Sequence, residues 1–238
     1  MEETLTARIQ AVRERIDAAA RAAGRDPGEI TLCAATKVQT GDTIRAAIAA
    51  GITVCGENRV QELTAHWEEG AYAGAALHFI GHLQRNKVKY VVGKADLIQS
   101  VDGEELLGLI EKQAAKLGII QDILIEVNIG AEESKSGVTP EMAHRLAALA
   151  ASLEHVRLRG LMAIPPVAEN PGENRRFFAA MRQLFVDIKG KKYDNENTMD
   201  VLSMGMSGDF ADAIAEGATL VRIGTALFGP RPANRAHG

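Results

Sequence analysis

Apolar residues in the opening segment recur at steps of three and four: Leu5, Ile9, Val12, Ile16 and Ala19. An α-helix turns once every 3.6 residues, so this spacing puts them on one face and predicts an amphipathic helix. Gly24 and Pro27 end it. The pattern then changes and repeats. Short apolar, β-branched runs occupy 30–36, 53–56, 77–81, 97–100, 123–128, 158–164, 201–204 and 220–223. Most are continuously apolar rather than alternating, as strands covered on both faces must be. Between them lie Ala-, Leu- and Glu-rich stretches of helical period.

Several of these helices carry recognisable ends. One spans 41–50 and is closed by Gly51, and another spans 103–117 and is closed by Gly118. Thr139-Pro140-Glu141 offers a capping hydroxyl followed by proline in the first turn. Eight strands alternating with helices predict an α/β fold, a single (β/α)8 barrel of the TIM type over 1–238 with an extra N-terminal helix. A doubly wound open sheet fits the same periodicity, because periodicity does not report closure. Two polar loops are long, 165–174 and 190–200, and the tail after Pro230 reads as loose.

Composition narrows the class. A chain of 238 residues, 46% hydrophobic and 24% charged, can bury a sizeable core. A net charge of −4 argues against a nucleic-acid partner. No apolar run reaches the roughly 20 residues needed to span a bilayer, and the charged opening helix is unlike a secretory signal. Cys33 and Cys55 lie in strand-like runs without Cys/His ligand spacing. They read as core thiols of a protein in the reducing cytoplasm, with neither a disulfide nor a metal site.

In such barrels the reactive residues stand at the C-terminal ends of the strands. The first strand ends in Ala34-Ala35-Thr36-Lys37. A lysine there reaches into the barrel mouth, where loss of water favours the neutral amine that attacks a carbonyl. Position alone is equally consistent with an ordinary lysine. The second strand ends in Gly56-Glu57-Asn58-Arg59-Val60-Gln61-Glu62. Asn58 can hydrogen-bond a ligand hydroxyl, Glu57 can offset a cation, and Gln61 and Glu62 read as capping residues of the next helix. His82 follows the third strand at the same rim.

The last two units carry the sharper signal. Ser203-Met204-Gly205-Met206-Ser207-Gly208-Asp209 ends the seventh strand, and Val221-Arg222-Ile223-Gly224-Thr225 forms the eighth and its exit. Loops after strands seven and eight often bind phosphate, because small residues let backbone N–H groups close on an anion. Ser203, Ser207, Gly224 and Thr225 suit that task. Arg222, inside a buried strand, needs an acceptor, and a heteroaromatic nitrogen can serve. A lysine for an aldehyde, small-residue loops for a phosphate and an arginine for a ring nitrogen match the polar handles of pyridoxal 5′-phosphate.

Over nearly its whole length the chain resembles the pyridoxal phosphate homeostasis proteins. The resemblance rests on AATK ending at Lys37, GENRVQE from Gly56, HFIGHLQRNK from His78, EVNIGAEESKSG from Glu126, GLMAIPP from Gly160, SMGMSGDF from Ser203 and RIGTALFG from Arg222. It implies that Lys37 forms a Schiff base with the cofactor, that Arg222 faces the pyridine nitrogen, and that Ser203, Gly224 and Thr225 hold the phosphate. Asn58, His82 and Met204 complete the expected set of cofactor contacts. The chain is also distantly similar to the barrel domain of alanine racemases. Those carry a tyrosine shortly after the lysine, where Val38-Gln39-Thr40-Gly41 stands here, and Tyr72, Tyr90 and Tyr193 lie elsewhere in the chain.

The expectation is a cytoplasmic, monomeric cofactor carrier without significant catalysis, with PLP-dependent apoenzymes as its partners. Racemisation needs a base on each face of the substrate carbon, and Lys37 serves one. A positive arginine at the ring nitrogen also weakens the ring as an electron sink. An amino-acid racemase, the alternative, needs His82 or a loop residue as the second acid. A Schiff-base aldolase acting on a sugar phosphate needs the same lysine and loops but leaves Arg222 without a role. In the AEESKSG stretch, Lys135 is either a second cofactor contact or, as its polar surroundings favour, part of a solvated loop.

Overall fold

A computed structural model describes residues 4–132, 134–168, 170–191 and 199–229. Helix α1 (Leu5–Ala22) starts where the Thr4 hydroxyl accepts from the Ala7 N–H at 3.2 Å. It buries Ile9, Val12, Ile16 and Ala20, with Leu5 and Ala19 half-buried on the same face. The chain then runs through β1 (Thr31–Ala35), α2 (Gly41–Ala49), β2 (Val54–Glu57), α3 (Val60–Glu68) and β3 (Ala76–Phe79). A 3₁₀ segment, Arg85–Tyr90, stands where a helix would connect β3 to β4 (Leu97–Val101). Alternation resumes with α4 (Glu104–Leu117), β5 (Gln121–Val127), α5 (Pro140–Ala150), β6 (Val156–Ala163), α6 (Arg175–Gly190), β7 (Val201–Ser203), α7 (Phe210–Ala215), β8 (Leu220–Ile223) and α8 (Thr225–Phe228).

The expected strands form within two residues of the apolar runs. The expected helix ends also form: Gly118 turns left-handed (φ 66°) after α4, and the Thr139 hydroxyl accepts from the Met142 N–H at 3.3 Å. Gly190 belongs to α6, so the loop expected from 190 starts later; much of it, including Tyr193, and the tail from Pro230 lie outside the described residues. No helix among the described residues is long and apolar enough to cross a membrane.

The strands pair in parallel and in chain order, and β1 pairs with both β2 and β8, so the sheet is a closed barrel rather than an open one. Helix α8 has only four residues. Helix α1 packs against α7, α8 and α2 and covers the gap that so short an eighth helix leaves, so the additional helix completes the outer ring.

The main core lies between sheet and helices. Inside the barrel the apolar packing is confined to two small clusters, Cys33, Ala35, Val54, Ile80 and Leu220 on one side and Leu97, Leu124 and Met162 on the other. Both cysteines are buried and free, and burial pushes their thiols up to about 12, which leaves them unreactive. At the N-terminal end, Arg159 pairs with Asp122 at 2.7 Å and with Asp200 at 2.5 Å, closing the barrel floor with charge. The β5–β6 register shifts beside Gly160 (φ 153°), where a Cβ would stand 1.8 Å from the Val201 carbonyl oxygen. Only glycine fits that close approach.

Candidate functional site

Lys37 enters the barrel mouth from the loop between β1 and α2. Thr36, fully buried, donates from its hydroxyl to Glu57 Oε1 at 2.6 Å, and its N–H donates to the Gly56 carbonyl at 2.9 Å. Val38 follows Lys37 with φ 61°, a left-handed conformation rare for a β-branched residue. Its N–H donates to Glu62 Oε2 at 3.0 Å. Between these anchors Lys37, half-buried, lines a cavity of about 290 Å³ at the C-terminal ends of the strands. That volume is near the lower end of ligand pockets, roughly 300 Å³.

On the neighbouring strand β8, in register with Cys33 of β1, stands Arg222, 4% exposed. Inward positions of four strands meet in a chain of hydrogen bonds. Arg222 Nη1 donates to Ser203 Oγ at 2.5 Å, Ser203 Oγ donates to Gln99 Oε1 at 2.6 Å, and Gln99 Nε2 meets His78 Nδ1 at 2.9 Å. Arg222 Nη2 donates to the Ala163 carbonyl at 2.9 Å. The guanidinium plane is thus fixed from two sides. Burial pulls Arg222 below its ordinary value, opposed by Cys33, Glu126 and Asp209. Burial also drives His78 down to about 4, with Arg159 adding to the shift and Asp122 opposing it, so the ring is neutral near pH 7.

Glu126, 6% exposed near the C-terminal end of β5, lies close enough to Arg222 to feel its charge. Burial pushes its carboxyl up to about 7, Asp102 pushes the same way, and Arg222 opposes both.

The third wall is made by the exits of β7 and β8, with Met206, Ser207, Gly208, Gly224 and Thr225 lining the cavity. Gly205 (φ 92°) makes the turn out of β7, and a Cβ there would stand 2.6 Å from that of Ala213. Asp209 closes the turn by accepting from the Met206 N–H at 2.7 Å and from Asn174 Nδ2 at 2.9 Å. Ser207 Oγ accepts from the Ala226 N–H at 3.3 Å, which ties the two loops together. Asn58 lines the same cavity, and its Oδ1 is buried with no hydrogen-bond partner. An orphaned acceptor at a cavity wall suits a ligand donor.

Five of the expected site residues, Lys37, Asn58, Arg222, Gly224 and Thr225, therefore share one cavity. Three do not line it. Ser203 points inward but one layer deeper, where its hydroxyl is committed to Arg222 and Gln99. Met204, the next residue along the chain, is buried in the core between sheet and helices. The His82 side chain is 56% exposed and pairs with Asp102 at 3.2 Å in a separate polar groove with Gln84, Arg85 and Glu105. Lys135 is held by the Pro165 carbonyl at 2.9 Å and by the Glu132 carboxylate, within its own loop.

Sequence reasoning missed His78, Gln99 and Glu126. Each is a polar residue within an otherwise apolar run, and its outward-packed neighbours, Leu77 and Phe79, Ile98, and Ile125 and Val127, leave it on the barrel interior. A larger cavity of about 770 Å³, lined by Trp67, Lys94 and Ile120, opens beside the N-terminal ends of β3 and β5, away from the lysine.

Residues 8–232 match the model of the alanine racemase N-terminal domain family. The pyridoxal phosphate homeostasis protein of Aquifex aeolicus is 46% identical over 224 residues, which cover 94% of this chain and 97% of that protein. Among solved structures, PipY of Synechococcus elongatus, with PLP bound, superposes with a TM-score of 0.83 at 31% identity over 95% of this chain and 100% of that one. An alanine racemase of Clostridium difficile, at 14% identity, shares the fold with a TM-score of 0.70 over 93% of this chain and 57% of its own.

Proposed function

We propose, from the premise that this chain belongs to the pyridoxal phosphate homeostasis protein family, that it binds pyridoxal 5′-phosphate through Lys37 and holds it without significant catalysis. One observation carries the reading. Of the described residues lining the 290 Å³ cavity, only Lys37 and Arg222 are ionisable, and the remaining polar groups are alcohols, amides and backbone.

The residues suit the cofactor group by group. The Lys37 amine condenses with the aldehyde carbon, forming C=N while the carbonyl oxygen leaves as water. Asn58 Oδ1, orphaned and buried, accepts from the ring hydroxyl. Arg222, fixed by Ser203 and Ala163, faces the ring nitrogen and keeps it unprotonated. Ser207, Gly224 and Thr225 hold the phosphate, with Ser203 acting through Arg222. Bound to an enzyme, the cofactor serves as an electron sink for carbanions; here the cavity supports its retention.

A racemase needs a second acid on the far face of the substrate carbon. The sequence nominates His82, which pairs with Asp102 outside the cavity. Tyr72 is buried against Glu57 and His66. The reading is therefore of a carrier, one domain over 1–238, acting as a cytoplasmic monomer that supplies PLP-dependent apoenzymes.

An absorption spectrum tests it. Purified protein with added PLP is expected to show a visible imine band that Lys37→Ala abolishes. A colourless wild-type protein that takes up no PLP overturns the reading. Racemisation of alanine or serine at roughly 1 per second or faster overturns its non-catalytic half.

A further inference from the structure

The loop that carries Lys37 is held in a conformation its own sequence disfavours. Val38 is one of two described non-glycine residues with positive φ, the other being Ala131. A β-branched side chain in the left-handed region persists only where its surroundings impose it, and such strain gathers at functional sites. The question is what imposes it here.

Both flanks of Lys37 are tied to one segment, 57–62. On the N-terminal flank, Thr36 Oγ1 donates to Glu57 Oε1 at 2.6 Å. Glu57 is fully buried and held in turn by the Tyr72 hydroxyl at 3.0 Å and by His66 Nδ1 at 3.5 Å. On the C-terminal flank, the Val38 N–H donates to Glu62 Oε2 at 3.0 Å. The Gln39 N–H closes the turn on the Thr36 carbonyl at 3.0 Å.

Glu62 could have been spent locally. It is the third residue of α3, the position from which a glutamate reaches back to cap the helix start. Yet Arg59, which precedes the helix, makes no side-chain cap. One Glu62 oxygen instead crosses to Val38, 24 residues earlier in the chain, while the other takes Arg59 Nη1 at 3.4 Å. The glutamate that looks like a helix cap in sequence serves the lysine loop.

We infer that Glu62, seconded by Glu57, is a positioning residue for Lys37: one carboxyl group holds the Val38 N–H and the other the Thr36 hydroxyl, and together they clasp the lysine from both sides and fix its stem toward the cavity. This rests on Lys37 being the attachment point for the cofactor aldehyde. Without the clasp Val38 relaxes to negative φ, the peptide joining it to Lys37 rotates, and the amine leaves the line of approach to the carbonyl. The phosphate and ring contacts, made by other strands, remain.

Two ligands separate positioning from general support. Pyridoxal 5′-phosphate needs the amine; pyridoxine 5′-phosphate keeps ring and phosphate but has a hydroxymethyl group in place of the aldehyde. Glu62→Ala is expected to weaken PLP binding about tenfold, as for a lost hydrogen bond to a charged group, and to leave pyridoxine 5′-phosphate within about twofold. Glu62→Gln keeps an oxygen acceptor for the Val38 N–H and is expected to stay close to wild type for both ligands. Equal losses of both ligands in Glu62→Ala, no loss of either, or a Glu62→Gln as impaired as Glu62→Ala overturns the clasp. Lys37→Ala is the control for the underlying reading. If it keeps the imine band, the attachment point is elsewhere and that reading fails first; if it loses the band while Glu62→Ala behaves as wild type, only the clasp fails.

Discussion

Arg222 donates to the Ser203 hydroxyl at 2.5 Å, and Ser203 passes its own proton toward Gln99 at 2.6 Å, so the serine is a link between strands below the cavity floor. Ser203→Ala strips a partner from both neighbours in a fully buried setting. It is expected to lower stability by about 1–3 kcal/mol, read by urea unfolding. Because its effect on the ligand passes through the guanidinium, it should weaken PLP and unphosphorylated pyridoxal alike. A loss confined to PLP would return Ser203 to the phosphate.

The phosphate contacts are expected at Ser207 and Thr225, which line the cavity. Ser207→Ala and Thr225→Val should each cost about 1.5–3 kcal/mol in PLP binding, the range for a hydrogen bond to a charged group. Pyridoxal, lacking the phosphate, should bind both variants as it binds wild type. Ligand titration followed by absorbance checks this.

Glu126 makes stability depend on pH. Its carboxyl, raised by burial from an ordinary 4.5 to about 7, favours the protonated form in the folded state. The stability it confers is full below about 4.5 and is lost as pH rises through 7. The loss is on the order of 3 kcal/mol. Glu126→Gln should flatten this limb and be more stable than wild type at pH 8, as measured by chemical unfolding across pH.

His78 acts on the other limb. Burial lowers it from 6.5 to about 4, so the folded state prefers the neutral ring and its contribution is present above 6.5 and lost as pH falls toward 4. His78→Gln, which keeps a polar partner for Gln99, should remove part of the acid sensitivity. An unchanged acid limb would mean that the ring titrates freely in the barrel.

Much of the fold was legible in the chain. Continuous apolar runs of strand length, spaced by helical stretches, mark β/α alternation because burial on both faces favours apolar residues at most strand positions. The capping hydroxyl of Thr139 and the left-handed Gly118 act within one turn of sequence, and each reads as such. Closure was not legible. It depends on pairing β1 with β8, some 190 residues apart, and on register shifts such as the one beside Gly160, which periodicity does not encode.

The site divides the same way. The sequence by itself determined which residue types end the strands: Lys37 after β1, Asn58 after β2, and small residues after β7 and β8. Tertiary structure alone decided which of them meet. Ser203 and Thr225 both sit near strand ends, but one layer of the barrel separates a hydroxyl tied to Arg222 from one at the cavity wall. His82 follows a strand as Lys37 does, but its side chain meets Asp102 in another groove. Glu62 occupies a capping position and is spent on Val38 instead. Local chemistry is written in order along the chain, whereas reach and layer are set by how eight strands tilt and pair, a long-range property that appears only when the barrel closes.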